Sequence, residues 1–82
     1  MLTVSVISPE AVLFEGTADI VVAPAFDGQV GILTDHAPMM TLLGKGQLRV
    51  GSGDAARTFR VDGGFLQVSS NHVRVVTEKA SR

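Results

Sequence analysis

Phe59-Arg60-Val61-Asp62-Gly63-Gly64-Phe65-Leu66-Gln67-Val68-Ser69-Ser70-Asn71-His72-Val73-Arg74-Val75 holds three alternating runs in seventeen residues. Phe59 and Val61 flank Arg60, Leu66 and Val68 flank Gln67, and Val73 and Val75 flank Arg74. A period of two puts the apolar side chains on one face and the polar ones on the other, which is the mark of a half-buried strand. Asp62-Gly63-Gly64 reads as a tight turn between the first two runs, and Ser70-Asn71-His72 closes a hairpin before the third. The same alternation fills the rest of the chain. Leu2, Val4 and Val6 alternate with Thr3 and Ser5 until Pro9; Ala18, Ile20 and Val22 share a face opposite Asp19; Leu48 and Val50 flank Arg49. Ser8-Pro9-Glu10, Gly44-Lys45-Gly46 and Gly51-Ser52-Gly53-Asp54 read as turns, and Glu15-Gly16 as a bend or bulge. Only Pro38–Leu43 could form a helical turn. Many short strands with closely spaced turns predict an all-β sandwich or barrel, not a parallel α/β sheet.

With 82 residues the chain is read as one domain, residues 1–82. It has no cysteine, so neither a disulfide nor a thiolate metal site can support it. Hydrophobic residues make up 45% of it and mean hydropathy is +0.31, much apolar surface for so small a volume to hide. Some is expected to lie bare, and bare apolar patches mark interfaces. The formal net charge is −1, the basic residues form no run, and all four aromatics are Phe, which argues against nucleic-acid binding. No apolar stretch approaches the roughly 18–20 residues of a membrane span, and Met1-Leu2-Thr3-Val4 lacks the basic start of a signal peptide. A soluble protein that stays where it is made is expected.

Residues for chemistry are sparse. His36 and His72 have no partner at metal-ligand spacing. Asp35 and His36 are adjacent, so on extended chain their side chains point apart. His36 reads as a turn histidine bonded to backbone. No Gly-x-Ser-x-Gly elbow occurs, and Gly44-Lys45-Gly46 lacks the rest of a phosphate loop. No catalytic residue, metal or cofactor is expected. One segment is odd: Asp27–Pro38 reads as a loop with two Gly and a Pro, yet it carries Val30, Ile32 and Leu33. Binding residues concentrate on such loops.

At that segment the sequence becomes specific. Gly28-x-Val30-Gly31-Ile32-Leu33-x-x-His36-Ala37-Pro38 resembles the signature loop of the F-type ATP synthase epsilon subunit. Ser8-Pro9-Glu10 with Leu13-Phe14-Glu15-Gly16, then Leu42 with Gly46-Gln47-Leu48-Arg49-Val50, resemble other stretches of that family. So do Val61-Asp62-Gly63-Gly64-Phe65-Leu66-Gln67-Val68 and Asn71-x-Val73-x-Val75. They occur in family order along nearly the whole chain.

The resemblance implies a two-sheet β-sandwich of about ten short strands, mostly antiparallel. It implies a non-catalytic rotor part held between the gamma subunit and the polar loops of the c-ring, with catalysis left to the alpha/beta hexamer. It places Asp27, Gly28, Gln29 and Val30 toward the c-ring. Ser8, His36, Met39 and Thr41 fall toward gamma, and Gly31 and Pro38 shape the loop. Met39 and Met40 would be adaptable apolar filler, in an interface or in the core. The expected location is peripheral, on the cytoplasmic side of a bacterial plasma membrane. Three departures stand out. Gln29 replaces a carboxylate common among relatives, and Thr34-Asp35 stands where many have Pro-Gly. The family's C-terminal helical hairpin, with its brake on ATP hydrolysis, has no counterpart in residues 1–82, so no such brake is expected here. The competing reading, a free-standing ligand-binding sandwich, wants Trp or Tyr on a binding face, and the chain has neither.

Overall fold

The computed structural model describes residues 1–81. Its strands are β1 Leu2–Ile7, β2 Val12–Ala18, β3 Ile20–Ala25, β4 Gly28–Leu33, β5 Met39–Leu42, β6 Lys45–Val50, β7 Arg57–Ser69 and β8 His72–Ser81, with one 3₁₀ turn at Gly53–Ala55. Hydrogen bonding runs in the order β2-β1-β8-β7-β6-β3-β4, and β5 also pairs with β7. The β1–β8 pairing is parallel, from Thr3↔His72 to Ile7↔Val76. Every other strand pairing is antiparallel.

Eight strands, rather than about ten, make two five-stranded layers because β7 and β8 serve both. Layer one is β2, β1, residues 72–76 of β8, residues 65–69 of β7, and β5. Layer two is residues 77–81 of β8, residues 57–62 of β7, β6, β3 and β4. The expected turn at Asp62-Gly63-Gly64 is therefore a kink inside a continuous strand. Gly63 and Gly64 take φ of 78° and 106°, values that favour glycine, and the chain continues along β8 in unbroken register. The expected turn at Gly44-Lys45-Gly46 is likewise a bend. β5 and β6 pair with β7 in one register on either side of it. Backbone bonds lock the two bends together: Leu43 N–H donates to the Gly64 carbonyl at 2.9 Å, and Gly63 N–H to the Gly44 carbonyl at 3.3 Å.

Thr77 occupies the same crossing on β8. It is the buried polar residue of the described chain, and its hydroxyl lies 3.1 Å from the Gly63 carbonyl and 2.8 Å from that of Lys79. The hydroxyl is satisfied, which removes most of the cost of burying it.

Between the layers lies one apolar cluster. It takes Leu2, Val4, Val6, Val73, Val75, Leu66 and Val68 from layer one and Val21, Ala23, Ile32, Leu48, Val50, Phe59 and Val61 from layer two. Phe14 and Phe59 meet edge to face across the gap, centroids 6.4 Å apart. The chain changes layer at Asp19, and the alternation changes phase with it. Val21 and Ala23 are buried while Ile20 and Val22 are only partly covered, so Ala18, Ile20 and Val22 do not share an inward face as expected. The irregularity expected at Glu15-Gly16 lies at Leu13, where the β1–β2 register skips. Gly16 instead leaves room for the Phe14 ring, which an added Cβ would approach to 3.3 Å.

Candidate docking surfaces

Residues 27–38 are not one loop. Phe26-Asp27 forms the turn of the β3–β4 hairpin, closed by Ala25↔Gly28. β4 then runs as a free edge of layer two, with Ile32 buried and Gln29, Gly31 and Leu33 exposed. The expected apolar loop is thus an edge strand with one face on the core.

The residues expected to face the c-ring divide accordingly. Asp27, Gly28 and Gln29 are exposed at the hairpin turn, and Gly28 has a φ of 134° with open space where a Cβ would sit. Val30 points inward and packs against the core. Gly31 is exposed, lacks a positive φ and has no neighbour within 4 Å of an added Cβ. No backbone requirement makes it shape a loop. Pro38 is exposed on the link to β5.

The residues assigned to gamma do not gather at one point. Ser8 closes the β1–β2 turn, its N–H donating to the Ala11 carbonyl at 2.9 Å. His36 lies at the far end of β4 from Asp27, roughly 17 Å away at the usual strand rise. It is half-buried and is held as the sequence suggested: its N–H donates to the Leu33 carbonyl at 3.1 Å, and Nδ1 to the Ala37 carbonyl at 2.7 Å. Asp35 precedes it with a φ of 66°, a value that Asp adopts more readily than most residues. Asn71 clasps Asp35: the Asp35 N–H donates to Asn71 Oδ1 at 2.6 Å, and Asn71 Nδ2 donates to Asp35 Oδ1 at 3.1 Å. Asn71 and Ser70 are the left-handed pair that turns β7 into β8. Met39 packs against the core and Thr41 is half-buried, so β5 presents Met40 and Leu42 outward instead.

Met40 and Leu42 lead to a surface that the sequence reading missed. Leu42 stands opposite Phe65, Phe65 opposite Val76, Val76 opposite Ile7, and Ile7 opposite Val12. These five lie in one row across the outer face of layer one. Leu42 is 63% exposed and Val12 58%, so the row is bare at both ends. Phe26, 72% exposed, joins it through its N–H, which donates to the Leu42 carbonyl at 3.2 Å. The next row, Met40, Gln67, Arg74, Ser5 and Glu15, is mostly polar.

Among the described residues no three His, Cys, Asp or Glu side chains are placed to hold a metal, and no helix is long and apolar enough to cross a membrane.

Residues 1–82 match the family model described as the ATP synthase delta/epsilon chain β-sandwich domain. The ATP synthase epsilon chain of Leptospira borgpetersenii serovar Hardjo-bovis is 43% identical over 77 residues, covering 94% of this chain and 61% of that one. The epsilon chain of Synechococcus sp. strain JA-2-3B'a(2-13) is 40% identical over 81 residues, covering 99% and 59%. The chain therefore spans about three-fifths of the length of these relatives. The fold recurs in the Euglena gracilis mitochondrial ATP synthase, in an assembly of OSCP, F1 and c-ring. There the TM-score is 0.88 at 19% identity, over 98% of this chain and 52% of the other. It recurs in the central stalk/c-ring of the Tetrahymena thermophila enzyme with a TM-score of 0.79 at 16% identity, over 98% and 65%.

Proposed function

Because the chain belongs to the family of ATP synthase delta/epsilon β-sandwich domains, we propose that it is a non-catalytic part of the central stalk of an F-type ATP synthase. It joins the gamma subunit to the c-ring so that proton flow is coupled to ATP synthesis in the alpha/beta hexamer. The observation that carries this reading is the apolar row Val12, Ile7, Val76, Phe65, Leu42 with Phe26 beside it. A lone domain gains nothing by presenting such a row to water. Covering a Leu or Phe side chain contributes about 1.5–3 kcal/mol, so a partner seated here would be held firmly.

The gamma subunit is the partner assigned to this face. Ser8 borders one end of the row. Met40 and Leu42 take the contact role first given to Met39 and Thr41, and His36 marks the far corner, where the chain leaves β4 for β5. The c-ring's polar loops meet the β3–β4 turn at Asp27, Gly28 and Gln29, at the other end of β4. Gln29 offers those loops a neutral hydrogen bond, weaker and less salt-sensitive than a carboxylate's. Gly31 leaves its stretch of the β4 edge open to close approach. The chain itself supplies no chemistry. It sits peripherally at the membrane through the c-ring, on the cytoplasmic side in a bacterium.

The test pairs Leu42→Ser with Phe65→Ser and measures gamma binding alongside thermal melting. Affinity falls at least tenfold for the pair while the chain remains folded. Gamma affinity equal to that of the unaltered chain would rule out the layer-one face.

A further inference from the structure

Layer two carries a different kind of surface. Lys45, Asp62 and Lys79 stand directly opposite one another on β6, β7 and β8, and Arg60 lies one row further along β7. Together with Ala80 these four charged residues line an open cleft of about 220 Å³. Arg49 projects from the same outer face of β6, between buried Leu48 and Val50. Four of the chain's seven Lys and Arg residues therefore crowd one face of a protein whose net charge is −1. Asp62 is the carboxylate in the cleft, and among the described residues no ion pair within 4.0 Å is closed there. Like charges on neighbouring strand positions repel, and at physiological salt they still act on one another within about 8 Å. Asp62 offsets one of the three cations and leaves two unmatched.

The geometry points to a binding subsite for a phosphate group in this cleft. Arg60 supplies the planar fork that fits two oxygens of an oxyanion, and Lys45 and Lys79 supply mobile point charges on either side. A dianion matches the two cations that Asp62 leaves over. The cleft is too open for an uncharged ligand to gain much from it and too small for more than one such group. Lys79 also borders a second cleft with Glu10 and Glu78, so Arg60 and Lys45 carry most of the selectivity. The subsite is separate from the apolar face assigned to gamma and does not depend on that assignment.

The experiment follows backbone amide shifts of the full chain during titration with sodium phosphate at constant ionic strength, with sodium chloride as the control. Saturable shifts at Lys45, Arg60, Asp62 and Lys79 are expected with phosphate and not with chloride. Arg60→Gln with Lys45→Gln weakens the binding at least tenfold while gamma binding is unchanged. Sedimentation with phosphatidylglycerol vesicles, against phosphatidylcholine vesicles, then separates the sources. Co-sedimentation that the double variant abolishes assigns the site to lipid headgroups, and its absence alongside saturable phosphate shifts assigns it to a free phosphate compound. Linear shifts, equal shifts with chloride, or saturation only by a poly-glutamate peptide would each overturn the proposal.

Discussion

Gly64 is where the backbone leaves the least room. At a φ of 106°, an added Cβ would drive into the Val76 carbonyl oxygen and come within 2.7 Å of the Thr77 Cα. Both obstacles are backbone, so neither can swing aside. Gly64→Ala is expected to cost on the order of 3 kcal/mol in urea unfolding. Gly31→Ala, with ordinary φ and open space, should stay within about 0.5 kcal/mol of the parent. Composition makes these two glycines look alike, and their neighbours across the sheet make them opposite. Asp35 is the converse case. Thr34-Asp35 stands where the resemblance leads one to expect Pro-Gly, and the left-handed backbone at Asp35 is one that a glycine adopts without strain. The clasp to Asn71 was not legible, because 36 residues separate the partners. Asn71→Ala removes both of its bonds and should cost about 1–2 kcal/mol. His36 should then lose its fixed setting, read as averaging of its ring signals.

Among the strands, alternation marks the buried face wherever it is clean and misleads where the chain changes layer. Phe59 and Val61 are buried at odd positions of β7, while Leu66 and Val68 are buried at even ones. That switch of parity is what a kinked strand produces when each half faces the core from an opposite side. A Gly-Gly pair alone cannot separate a kink from a turn, but parity could have done so. Adjacent apolar pairs were the second overlooked signal. In Val6-Ile7, Leu42-Leu43, Phe65-Leu66 and Val75-Val76, one member is buried and the other joins the outer row. Strict alternation explains only one member of each pair; the other marks a face that is apolar on its outside as well. The Phe14–Phe59 contact makes the layers depend on each other. Phe59→Ala is expected to lose about 3–5 kcal/mol by chemical denaturation, and Phe14→Leu, which keeps most of the volume, less than half of that.

For the molecule as a whole, the bare row sets stability against partnership. A ligand at a hundred times its Kd adds about 2.7 kcal/mol to a folded state it alone binds. Saturating gamma subunit should therefore raise the melting temperature by several degrees. An unchanged melting point would contradict docking of gamma on the layer-one face. Overall architecture and family were legible because they rest on strand periodicity and ordered motifs. Which surface meets which partner was not, because the outer row is assembled from five strands that only the folded register brings into line. β7 and β8 each pass unbroken from one layer into the other, and β5 runs on into β6 across the bend at Leu43-Gly44. Most sandwiches meet across an oily plane along which the halves could shear. Here three peptide ribbons stitch that plane shut, so a twisting load on one side must stretch covalent chain before the other can lag, and the halves cannot delaminate one at a time.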